Sequence, residues 1–120
     1  MAGFQRIRRP GGASVSKDES AVARRRVQIV NAYGLHMRPA NKFVTLAQSF
    51  HSEIRVDYGG TKVNGKSLLD MTGLAAECGT MLDLEAEGPD AEAALAALAD
   101  LVAAGFHMTE EDYLPPGGHL

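Results

Sequence analysis

Gly34-Leu35-His36-Met37-Arg38-Pro39-Ala40 is the stretch whose residue types and spacing suit a chemical task. Near neutral pH an imidazole has a free lone pair and is nucleophilic without heavy activation. Attack of such a ring on a phosphoryl donor gives a phosphoramidate, whose labile P–N bond lets the group be passed on, as a carrier requires. Arg38, two residues after His36, offers a planar fork of donors suited to phosphate. Pro39 fits the first turn of a helix, where its missing N–H costs nothing. That first turn leaves backbone N–H groups without intrahelical partners, and the macrodipole adds positive character. An anion is held there without a dedicated cage. Gly34 lets the chain turn sharply just before. His36 and Arg38 are therefore the candidate catalytic residues. Gly34, the Met37 backbone N–H and Arg38 are the candidate phosphate-stabilising groups.

The elements that must position these residues are legible on either side. Val27 to Asn31 alternates and predicts a strand leading in. Ala40, Phe43, Val44 and Ala47 recur at i, i+3, i+4 and i+7, which predicts a helix from about Met37 to Ser49. Lys42 falls off that stripe, four residues after Arg38, so the two are expected to share an exposed face. Ser52 to Tyr58 alternates with Ile54, Val56 and Tyr58 inward, Gly59-Gly60 is a hairpin signal, and Thr61 to Asn64 returns. Ser67 suits the N-cap of a short helix, Leu68 to Thr72, with Gly73 as its stop. Leu68 and Leu69 cannot share one helix face, so at least one is expected to be exposed. Thr80 to Glu87 alternates with Leu82, Leu84 and Ala86 inward. Gly88-Pro89-Asp90 opens a last helix with Leu95, Leu98, Leu101, Val102 and Phe106 as its buried stripe and Gly105 as its stop. The order is β-α-β-β-α-β-α. The fold class is α+β, an open-faced β-sandwich with a four-stranded antiparallel sheet covered on one face by three helices.

Gly34-Leu35-His36-Met37-Arg38-Pro39-Ala40, together with Gly65-Lys66-Ser67-Leu68-Leu69 downstream, resembles the two motifs of HPr, the histidine-containing phosphocarrier family of the bacterial phosphotransferase system. The resemblance runs from about Arg26 to about Phe106. Met37 and Tyr33 stand where that family often has smaller or more polar residues. The resemblance implies phosphorylation of His36 on Nδ1 by enzyme I charged from phosphoenolpyruvate, and onward transfer to an enzyme IIA domain in sugar transport or another route. It implies a stoichiometric carrier that is not itself an enzyme. It further implies a regulatory phosphoserine at Ser67, made by a serine kinase/phosphorylase, and partner docking through Met37, Leu68 and Leu69. The alternative from another class is a mainly regulatory HPr-like binding module acting through Ser67. A third is a small-molecule-binding α/β domain in which the His-x-Arg-Pro pattern is coincidental.

Composition bounds the rest. The chain has 120 residues, 45% of them hydrophobic, with a net charge of −3, so one domain with tails and an ordinary core is expected. Residues 1–26 hold seven Lys/Arg against two Asp/Glu, and residues 27–120 five against thirteen. Residues 1–25 are expected to be a disordered basic extension, residues 26–106 the phosphocarrier-like domain and residues 107–120 a C-terminal tail. The basic arm carries no aromatic or fold signal for nucleic acid. No apolar run is long enough to insert in a membrane, and the N-terminus lacks the apolar region of a signal peptide. Cys78 is the single cysteine, which excludes an internal disulfide and fits the cytoplasm. Neither Cys78 nor His51, His107 and His119 has partners at ligand spacing, so no metal and no cofactor is expected. The expected state is a monomer.

Overall fold

Alternation and helical stripes become elements in the predicted order. The computed structural model describes residues 22–108. These form β1 (Val22–Gln28), α1 (Met37–Gln48), β2 (Glu53–Tyr58), β3 (Thr61–Asn64), α2 (Leu68–Gly73), β4 (Met81–Glu87) and α3 (Ala91–Ala103), followed by a 3-10 turn at Gly105–His107. The strands lie in the order β1-β4-β2-β3, and each neighbouring pair is antiparallel. Alternating strand residues Val27, Ile54, Val56, Leu82, Leu84 and Ala86 are buried in one core with the helix residues Phe43, Val44, Ala47, Leu95, Leu98 and Val102. This is the α+β open-faced sandwich.

The other face of the sheet is charged. Arg55 donates to Glu85 (2.7 Å), Glu53 (2.8 Å) and Glu87 (2.9 Å), while Arg24 donates to Glu85 (2.9 Å) and Arg26 to Asp83 (2.8 Å). The Arg55 guanidinium holds the Glu85 carboxyl below its ordinary range. Exposed ion pairs are worth only about 0–1 kcal/mol each, whereas a fully buried large side chain contributes roughly 1.5–3 kcal/mol. Core burial therefore carries the stability, and the ion pairs bind particular cross-strand neighbours and so oppose slippage.

That same lattice explains where β1 begins. The strand was expected from Val27 to Asn31, with residues before 26 in a disordered extension; it runs instead from Val22 to Gln28, and Val22 to Arg25 belong to the sheet. Ala23 and Val27 face the core, but the intervening Arg24-Arg25-Arg26 hides the alternation. Arg24 and Arg26 stand opposite Glu85 and Asp83 in the antiparallel register. Residues 1–21, the predicted tail from 109 onward and His119 lie outside the described residues.

Two helix ends also differ. Gly73 remains inside α2, and the chain turns at Ala75, which takes φ +53°. Phe106 was expected on the stripe of the last helix. That helix ends at Ala103, and Phe106 reaches the core from a left-handed position, φ +61°, just after Gly105 at φ +63°. Among the described residues no helix is long and apolar enough to cross a membrane.

Asp90, immediately before α3, ties that helix to the start of β2. Its carboxylate accepts the Ser52 hydroxyl (2.5 Å) and the N–H groups of Ser52 (2.8 Å) and His51 (2.9 Å). These bonds, the Ser52 hydroxyl first, lower its pKa from 3.8 to about 2. A pKa depressed by folding adds stability that is complete above the unfolded value and is lost as pH falls through the folded one. Thermal melts should therefore show Asp90→Asn losing less stability than wild type between pH about 4 and about 2. Parallel losses in the two proteins would contradict this.

Candidate functional site

His36 is the N-cap residue of α1, in an extended conformation (φ −89°, ψ −169°), and its side chain makes no capping hydrogen bond. Its carbonyl accepts the Ala40 N–H at 2.9 Å, the first bond of the helix. The backbone thus takes up the capping geometry without a capping bond from the side chain. The residue is partly exposed, yet its Nε2 atom is buried. The Tyr33 ring meets the imidazole edge-on, with centroids 6.4 Å apart. Met37 and Arg38 occupy the first two helical positions, both exposed, and Pro39 and Ala40 are buried beneath them. The backbone N–H groups of Met37 and Arg38 precede the first intrahelical bond, and Pro39 has none to offer. This is the positive end of a twelve-residue helix, at the residue bearing the imidazole.

The loop ahead of His36 owes its shape to Gly34. With φ +75°, Gly34 lies in the left-handed region. Its N–H donates to the Asn31 carbonyl at 3.1 Å, while the next N–H, that of Leu35, donates to the Ala76 carbonyl at 2.7 Å. Gly34 was expected among the phosphate-stabilising groups; in the structure its N–H is turned into the loop, onto the Asn31 carbonyl. A Cβ on Gly34 would stand 2.5 Å from the Ala76 carbonyl oxygen and 2.9 Å from the Glu77 Cα. Both obstacles are backbone and cannot swing aside. A left-handed alanine costs about 1–2 kcal/mol and overpacking about 1–3 kcal/mol more. Gly34→Ala should lower the melting temperature by roughly 10 °C or more. A melt within two or so degrees of wild type would show that the loop is not held this tightly.

Ser67 is the N-cap of α2, and its hydroxyl accepts the Asp70 N–H at 3.2 Å. Lys66, the expected cationic neighbour for a phosphate there, donates its amine to the Phe50 carbonyl at 2.6 Å. Of the two leucines, Leu69 is 81% exposed while Leu68 packs partly against the core. Met71 takes the fully buried position of α2. Exposed apolar side chains thus occur on both segments, Tyr33 and Met37 on the first and Leu69 on the second. Lys42 does not simply share the face of Arg38; its amine reaches the carbonyls of Phe106 (3.1 Å) and His107 (3.4 Å) and fastens the end of α3 to α1.

Two contributors to the loop were not singled out in the sequence. Asn31 is one, and its place three residues before a glycine is a turn signal that could have found it. The Ala76 carbonyl is the other. It is a backbone group brought in by the segment between α2 and β4, and no side chain announces it.

Comparison with known proteins adds to this geometry. The model of the PTS HPr component phosphorylation site matches residues 23–104. The phosphocarrier protein HPr of Neisseria meningitidis is 43% identical over 76 residues, covering 63% of this chain and 85% of that protein. The multiphosphoryl transfer protein of Vibrio cholerae is 45% identical over an 82-residue alignment that covers 66% of this chain and 20% of that much longer one. The crystal structure of HPr from Thermoanaerobacter tengcongensis superposes with a TM-score of 0.70 at 39% identity, covering 72% of this chain and 98% of that one.

Proposed function

Because this chain belongs to the HPr family of the phosphotransferase system, we propose that it carries a phosphoryl group on His36, taken from enzyme I and passed to an enzyme IIA domain. The observation that supports this most is the imidazole at the N-terminus of α1, with Nε2 buried while the residue keeps partial exposure. Membership of the HPr family assigns the attack to Nδ1, and the burial of Nε2 agrees with that choice. In the step, the Nδ1 lone pair forms the new P–N bond as the bond from phosphorus to the donor breaks, and the donor keeps that electron pair. The Met37 and Arg38 N–H groups and the Arg38 guanidinium steady the charge on the transferred group. The chain is consumed and regenerated stoichiometrically, so it is a carrier and not an enzyme. It works in the cytoplasm as a monomer, with Met37, Leu68 and Leu69 in the docking surface. Incubation with phosphoenolpyruvate and enzyme I should add one acid-labile, base-stable phosphate per chain, and an enzyme IIA domain should remove it. Absence of such a phosphate would refute the carrier role.

Ser67 is a regulatory site on the same reading, modified by a serine kinase/phosphorylase. Its hydroxyl sits two residues from the exposed Leu69. A phosphate there brings about −1.5 to −2 charges onto the docking surface. Lys66 is committed to Phe50, so the added charge gains little from it and must be accommodated by the partner. Ser67→Asp should keep its fold and accept phosphate on His36 much more slowly, mainly through weaker binding of enzyme I. Ser67→Ala should lose only a cap, about 1 kcal/mol, and keep transfer. Equal transfer by the two variants across enzyme I concentrations would remove Ser67 from the regulation.

A further inference from the structure

We infer that Asn31 is the positioning residue of the phosphorylation loop, setting the direction of His36 through the Gly34–Leu35 peptide. The inference rests on His36 being the phosphoryl acceptor. Asn31 is only 5% exposed, and its Nδ2 donates to the Gly34 carbonyl oxygen at 2.7 Å. The N–H of that same peptide unit, which belongs to Leu35, donates to the Ala76 carbonyl, also at 2.7 Å. One peptide plane is therefore pinned at both ends, by a side chain on one side and a backbone group on the other. The Asn31 carbonyl in turn accepts the Gly34 N–H at 3.1 Å, so residues 31 and 34 exchange two bonds. His36 follows one residue after the pinned peptide, and Leu35 between them is 2% exposed and packed into the core.

The other half of the amide shows that packing alone does not explain the residue. Asn31 Oδ1 is buried and has no hydrogen-bond partner among the described residues. A buried acceptor left in that state is destabilising, and an apolar residue of the same shape would avoid the cost. The amide cannot be turned round to relieve it, because Oδ1 would then face the Gly34 carbonyl oxygen. The position accepts one unsatisfied atom and gains one fixed donor. What that donor holds is the approach to the imidazole, and transfer depends steeply on the alignment of the attacking nitrogen.

The test uses Asn31→Ala and Asn31→Leu, the second being close in shape to asparagine and free of the buried unpaired oxygen. Charging by phosphoenolpyruvate and enzyme I is followed over a range of enzyme I concentrations, with melting temperatures measured alongside. Both variants should show a saturated transfer rate about tenfold below wild type, with the half-saturating enzyme I concentration changed less than about twofold. The loss in Asn31→Leu should occur without a matching fall in melting temperature. If only Asn31→Ala fails to fold, Asn31→Leu decides. Wild-type saturated rates, a loss confined to half-saturation, or failure of both variants to fold would overturn the inference. A wild-type chain that accepts no phosphate would instead overturn the carrier reading beneath it.

Discussion

His36→Ala should accept no phosphate from enzyme I and phosphoenolpyruvate while keeping its fold. The fold survives because the side chain makes no capping bond, and the helix starts from the His36 carbonyl, which alanine retains. Transfer is lost because a P–N bond needs a nitrogen lone pair at that point, and among the described residues no other histidine stands there. His51 follows α1 at the far end of that helix, and His107 lies in the turn after α3. Circular dichroism and a melt within a few degrees of wild type, with phosphate uptake gone, would bear this out. Uptake equal to wild type would mean that another residue is the acceptor.

Arg38→Ala should fold normally and transfer slowly. Arg38 is exposed in the first turn of α1, so its removal leaves no cavity. Loss of one charge-assisted donor from a site that stabilises developing negative charge costs about 2–4 kcal/mol of barrier. That corresponds to a transfer rate roughly 30- to 1,000-fold below wild type. Arg38→Lys should recover only part of it, because an ammonium keeps the charge without the planar fork. Stopped-time phosphorylation assays at saturating enzyme I measure the effect. A rate within twofold of wild type would take the guanidinium out of the site and leave the backbone N–H groups to do its work.

Much of this arrangement is legible in the chain itself. Ala40, Phe43, Val44 and Ala47 announce the buried face of α1, and all four are buried. Once that face is known, Pro39 fixes where the helix starts and His36 falls at its cap. The hairpin is equally plain, because Gly59 and Gly60 both take positive φ, as a tight two-residue turn demands. The start of β1 is hidden for a reason of charge. Three consecutive arginines resemble a solvated arm until Asp83 and Glu85, some sixty residues away in sequence, are seen beside them. Phe106 is hidden for a reason of backbone: its apolar character continues the stripe of α3, but two left-handed residues, Gly105 and Phe106, bring it to the core by another route. Asn31 is hidden because its task is performed on a carbonyl, and sequence does not record which carbonyls need a donor.

The most direct test is to find the atom that bears the phosphoryl group. The protein, labelled with 15N in its four histidines, is charged by enzyme I and phosphoenolpyruvate and observed by 15N and 31P NMR. One histidine should change, it should be His36, and the coupling to phosphorus should lie on Nδ1. A phosphoryl group on Nε2, on another histidine or on Ser67 would contradict the assignment of His36 Nδ1 as the carrying atom.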